Sequence, residues 1–99
     1  MSVVWSALAE QRALEAVEYI ALDRPRAAAA WLEGLLERVR TLDRFAQQGR
    51  MVLEIGLPAY REVPHPPYRI IYRVDSGRVV ILTLRHERRE WDAAEMDAG

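Results

Sequence analysis

Arginine supplies every basic side chain of this 99-residue chain apart from two histidines, and more than half of the fourteen arginines lie in the second half. A guanidinium stays charged at any physiological pH and grips phosphate or carboxylate bidentately, so such a set suits anion recognition or the stabilisation of developing negative charge. With no lysine and no cysteine, Schiff-base and P-loop lysine chemistry, thiol nucleophiles, disulfides and thiolate metal sites are excluded. His65 and His86 stand 21 positions apart, a poor metal pair without cysteine. An imidazole is the side chain suited to giving or taking a proton in acid-base chemistry, so His86 is a candidate for that work, or simply ends a strand. His65, among prolines, reads as a loop residue. Arg88-Arg89-Glu90-Trp91 joins the two residue types that dominate interface hot spots, which makes Arg88, Arg89 and Trp91 a candidate target-binding patch, with plain surface as the alternative.

Alternating strands are what would position these groups. Tyr68, Ile70, Tyr72 and Val74 alternate with Arg69, Ile71 and Arg73, so a strand here has one apolar face and one face bearing two arginines, either solvated or paired to glutamates. Asp75-Ser76-Gly77 is a turn, and Val79 to Leu84 is a continuous apolar run that reads as a central strand covered on both faces. Tyr60 to Val63 is a short strand closed by Pro64, Met51 to Ile55 a further strand or edge segment, and residues 85–99 a polar ending with a short helix or frayed tail.

The first half has helical periodicity. Val3-Val4-Trp5 is a short β-prone segment, Ser6 a helix N-cap, and Ala13, Leu14, Val17, Ile20 and Ala21 recur at helical spacing over residues 7–22. Asp23-Arg24-Pro25 ends that helix and starts another, whose seam is Ala28, Leu32, Leu35, Val39 and Leu42, widened by Trp31, Leu36 and Phe45. The expected fold is α+β: a short N-terminal strand, then an antiparallel two-helix hairpin packed on a three- to four-stranded antiparallel sheet, all in one domain over residues 1–99.

Net charge is −1 overall, which argues against a chain that coats nucleic acid. Divided along the chain, residues 1–49 carry −1, residues 50–89 carry +4 and residues 90–99 carry −4, so neutrality hides a basic sheet and an acidic end. No apolar run reaches the roughly 20 residues of a membrane helix, and charges from Glu10 onward leave no signal-peptide apolar region. A cytoplasmic protein without membrane contact is expected.

Tyr60-Arg61-Glu62, Pro67-Tyr68-Arg69-Ile70-Ile71-Tyr72-Arg73-Val74 and Val79-Val80-Ile81-Leu82 leading to Arg85-His86-Glu87-Arg88-Arg89-Glu90-Trp91 together resemble the RelE/ParE superfamily of bacterial type II toxin-antitoxin toxins. The element order agrees over nearly the whole chain. The resemblance implies a growth-arresting toxin of a plasmid-stabilisation type of module, held in a hetero-oligomer by a cognate antitoxin, with no cofactor. Its RelE-like branch comprises mRNA interferases that cut messenger RNA on the ribosome, and there Arg61, Arg69, Arg89 and His86 would be the catalytic set. Its ParE-like branch inhibits DNA gyrase by binding, and an inactive homologue that acts only as a binding partner is a third reading. The second lysine of the RelE pattern is Val63 here, and no tyrosine follows Tyr72, so the ParE-like branch is the favoured reading.

Overall fold

The computed structural model describes residues 2–88. Their elements run β1 (Ser2–Trp5), α1 (Ala7–Ala21), α2 (Pro25–Arg44), β2 (Arg50–Met51), β3 (Tyr60–His65), β4 (Tyr68–Asp75) and β5 (Arg78–His86). The strands form one sheet in the order β1-β5-β4-β3-β2. Both helices pack on one of its faces, giving the expected α+β architecture with five strands rather than three or four.

The sheet is mixed because of β1. It pairs parallel to β5, Val3 against Val79 and Trp5 against Ile81, while every other pairing is antiparallel. Parallel strands need a long crossover, and here the helix hairpin with the three strands after it separates β1 from its partner. Ser6 then turns the chain. Its N–H donates to the Ile81 carbonyl at 3.0 Å, its Oγ donates to the Leu82 carbonyl at 2.8 Å, and the same Oγ accepts from Ala9 N at 3.0 Å as the cap of α1. Such a cap contributes about 1 kcal/mol. The carbonyl it meets is displaced, because β5 has a bulge: Ile71 pairs with Thr83 and Tyr72 with Ile81, leaving Leu82 as the extra residue.

α2 begins at Pro25 and buries Ala28, Leu35, Val39 and Leu42 against the sheet, with Leu32 half-buried beside them, as its spacing predicts. α1 differs from expectation. Its buried stripe is Ala9, Ala13 and Ala16, whereas Leu14 is 63% exposed; three small side chains let the helix backbone approach the sheet closely. Leu36 and Phe45 are likewise exposed, and only Trp31 of the three expected to widen the α2 stripe packs on the core. The expected strand Met51 to Ile55 is cut short. After Met51 the chain turns, with Ile55 N and Gly56 N both donating to the Val52 carbonyl and Gly56 at φ +73°, a conformation glycine adopts without penalty. At the other end β5 runs on through Arg85 and His86, residues expected in a polar ending.

The sheet has apolar residues on both faces. Val63, Ile70, Tyr72, Val79 and Ile81 face the helices. Val52, Ile71, Val80 and Leu82 form a second buried cluster on the outer face, joined by Ile55 and Tyr60. β4 and β5 are therefore covered on both sides, as the Val79 to Leu84 run predicts.

Candidate functional site

Three clusters carry the polar chemistry of the described residues. The first is a charge network on the outer face. Glu62 of β3, only 4% exposed, accepts from Arg50 Nε at 3.1 Å and Nη2 at 2.9 Å through Oε1, and from Arg69 Nη1 through both oxygens at 3.2 Å. Glu54, from the turn after β2, lies 3.7 Å from Arg69. Arg85 of β5 is 3% exposed and sits directly opposite Arg69 in register. Like charges opposed across a strand pair repel, so carboxylates are required to hold this row together. Arg73, on the same face, approaches Asp75 at 3.8 Å, as does Arg78.

The second cluster holds the loop that follows α2, on the helix-facing side. Arg61 pairs in register with Tyr72 and so shares its face, opposite to Glu62. Arg61 Nη1 donates to the carbonyls of Gly49 at 2.8 Å and Gln47 at 3.4 Å. The Tyr72 hydroxyl, fully buried, donates to the Ala46 carbonyl at 2.8 Å and accepts from Gly49 N at 3.0 Å. Burial raises the Tyr72 pKa above 10.0, partly offset by the Gly49 hydrogen bond and the nearby charges of Arg61 and Arg38. Residues 46–49 are thus tied down from two strands.

The third is an open cleft of about 800 Å³ between α1 and the far end of the β4–β5 pair, lined by Gln11, Arg12, Tyr19, Tyr68, His86 and Arg88 among others. His86 stands edge-on to Tyr68 at 5.3 Å, and its Nδ1 accepts from Arg88 N at 3.2 Å. Tyr68 also meets Trp31 edge-on at 5.5 Å. Trp31 is held by the β3–β4 turn: its Nε1 donates to the Pro66 carbonyl at 3.0 Å, and His65 Nε2 lies 2.9 Å from the Trp31 carbonyl. His65 is therefore the last residue of β3 and a fastener of α2, rather than a loop residue.

The candidate catalytic residues are not gathered. Arg61 and Arg69 lie on opposite faces. His86 shares the face of Arg61 but sits in the row of Tyr68, four positions along β4 from Tyr72, or about 13 Å at the rise of a strand. Arg88 is exposed in the turn after β5, and Arg89 and Trp91 fall outside the described residues. Two contributors escaped the reading of residue types: Glu62, which neutralises the arginine row, and the Tyr72 hydroxyl. The signal for Glu62 was the pair of arginines on one strand face, which needs a carboxylate beside it if the face is covered. Among the described residues no group of three or more His, Asp or Glu could hold a metal ion, and no helix is long and apolar enough to cross a membrane.

Comparison with known proteins places the chain. No curated protein matches it. Among solved structures it is similar to a chain described as the chromosomal ParDE TA system from P. aeruginosa, with a TM-score of 0.74 at 21% identity, over 87% of this chain and 95% of that one. The family model of the ParE toxin of the type II toxin-antitoxin system, parDE, matches residues 3–91. The match runs from the edge strand through the helix hairpin and the sheet to the tryptophan after β5, and on that extent the chain belongs to the ParE toxin family.

Proposed function

We propose that this chain is the toxin of an addiction-type module, acting in the cytoplasm by binding DNA gyrase and blocking replication, and that a co-encoded antitoxin neutralises it. The observation that carries this reading is the separation of Arg61 from Arg69. Phosphodiester cleavage needs a base, an acid and cations around one phosphate, yet these two arginines serve opposite faces of the sheet, one holding carbonyls of the 46–49 loop and the other Glu62. Target binding then falls to Arg88, Arg89 and Trp91, which follow β5 in the sequence.

Surface for an antitoxin is available on the helix layer and at the sheet edge. β1 is an outermost strand, suited to strand addition, and Val4, Leu14, Tyr19, Leu22 and Leu36 are exposed. A supercoiling assay with purified toxin is the test of the target. Loss of supercoiling, restored by the antitoxin, is expected; unaffected gyrase at high toxin excess removes the reading. Pull-down of a small co-encoded protein tests the partner.

A further inference from the structure

We propose that two copies of this chain pair through β1, edge to edge and antiparallel, so that their sheets join into one across a two-fold axis at Val4. The inference stands apart from the gyrase reading, since it concerns which surface the free chain covers and not what the toxin strikes.

β1 is an outermost strand, bonded on one side to β5. Ser2 N and Ser6 N donate to the Gly77 and Ile81 carbonyls, and the backbone groups of successive strand residues point alternately to the two sides. Val3 and Trp5 therefore turn their N–H and C=O groups away from β5, one on either side of Val4. Such an edge is ordinarily blunted by a charged side chain, a proline or a bulge. Ser2-Val3-Val4-Trp5 has none of them, and its register with β5 is regular.

Symmetry selects a second copy as the occupant. With Val4 opposite Val4, Val3 of each copy faces Trp5 of the other, and each such pair exchanges both of its N–H to carbonyl bonds. Every backbone group that β1 turns outward is then satisfied. A shift of register in either direction leaves Val3 or Trp5 without its counterpart.

The side chains agree on both faces. Val3 and Trp5 are half-buried towards the helices, beside an open groove of about 530 Å³ lined also by Leu36, Arg40 and Asp43 of α2. Leu36 is 46% exposed there, and Val4, on the other face, is 40% exposed. A two-fold axis between antiparallel strands stands perpendicular to the sheet, which puts both helix layers on one side and their α2 helices antiparallel across the groove. Arg40 and Asp43, one turn apart, then meet the same pair in reverse order, cation towards carboxylate, and β1 itself brings no charge to the axis. The contact is short, with four residues of strand on each side, and belongs with weak, reversible dimers rather than permanent ones. A strand that an antitoxin adds at this edge displaces the second copy, so self-pairing marks the free chain.

The experiment is sedimentation equilibrium of the whole chain from micromolar to millimolar concentration, with NMR on a mixture of isotope-labelled and unlabelled chains. A reversible dimer is expected, with an intermolecular Overhauser effect between the Val4 Hα atoms, which face each other closely in a non-hydrogen-bonded antiparallel pair. Val4→Lys sets two ammonium groups against each other at the axis and should raise the dimer dissociation constant about tenfold or more, with partial recovery in molar salt. Val3→Pro removes half of the bridging hydrogen bonds, because the Val3 N–H faces the open side, and should weaken the dimer by about the same factor while leaving the β5 ladder intact. Val4→Lys, at an exposed position, decides the matter if Val3→Pro lowers the melting temperature. A monomer at millimolar concentration, a dimer without the Val4 contact, or a dimer that Val4→Lys leaves at parent strength would each overturn the inference.

Discussion

Arg61 and Arg69, eight residues apart in sequence, point to opposite faces of one sheet. Arg61 lies beside Tyr72 and grips the loop after α2, while Arg69 lies opposite Arg85 and grips Glu62. Two residues that look like one catalytic pair on paper are two separate fasteners. Arg61→Ala should therefore loosen the 46–49 loop, with a loss of about 1 to 2 kcal/mol in urea unfolding and faster amide exchange at Gly49, but without relief of gyrase inhibition in the folded protein. A folded Arg61→Ala toxin that no longer acts would assign Arg61 a role at the target.

Glu62 joins Arg50 to Arg69 from a buried position. Glu62→Gln keeps the shape and removes the charge, leaving the opposed Arg69 and Arg85 with less compensation. A loss of about 3 kcal/mol is expected, in the range found when one partner of a buried pair is removed. Chemical denaturation checks it, and an unchanged midpoint would mean that Glu54 and other carboxylates suffice.

Tyr72 makes stability depend on alkaline pH. Its folded pKa is raised above 10.0 by burial, so the folded state holds the proton more tightly than the unfolded chain. The stabilisation is fully present below pH 10 and is lost as pH rises through the folded pKa. Tyr72→Phe should flatten that alkaline decline in thermal melts. At neutral pH it should cost about 1 to 3 kcal/mol, because Gly49 N and the Ala46 carbonyl lose their buried partner.

Gly49 has no room for a side chain. A Cβ there would meet the Tyr72 hydroxyl at 2.5 Å and the Glu62 carbonyl oxygen at 2.7 Å. Gly49→Ala must displace the loop or the tyrosine, at about 1 to 3 kcal/mol. Combined with Tyr72→Phe, which removes the nearer obstacle, the penalty should be less than additive.

Gyrase binding is expected to concentrate on the Arg88 to Trp91 stretch that follows β5 in the sequence. Arg88→Glu and Trp91→Ala should each weaken supercoiling inhibition about tenfold or more, as hot-spot residues do, with thermal melts close to the parent. Inhibition at parent strength in both variants would move the target contact elsewhere.

Local patterns carried most of the elements, because each depends on neighbours a few residues away. Ser6 as a cap, Pro25 at a helix start, the α2 seam from Ala28 to Leu42 and the alternation of Tyr68 to Val74 are of this kind. Leu14 was misplaced because helical spacing identifies a stripe without saying which of two adjacent stripes meets the sheet. The shorter alanine side chains won, allowing a closer approach. The shortened strand after Met51 reflects a turn whose Val52 hydrogen bonds and positive Gly56 φ outweigh the β-prone residues around them.

By itself the amino-acid sequence determined the α+β class, the helix hairpin, the β4–β5 pair, the all-arginine chemistry and the family resemblance, since these rest on periodicity, turn residues and side-chain type. Only the tertiary structure decided that β1 joins β5 in parallel and that Arg61 and Arg69 part company. The first is a pairing of residues more than 70 positions apart, Val3 with Val79, which no local pattern encodes; the second follows from register, since His65 pairs with Tyr68 across the Pro66–Pro67 turn, and in a pleated sheet with a period of two that pairing sends Arg61 to the helices and Arg69 to the other face.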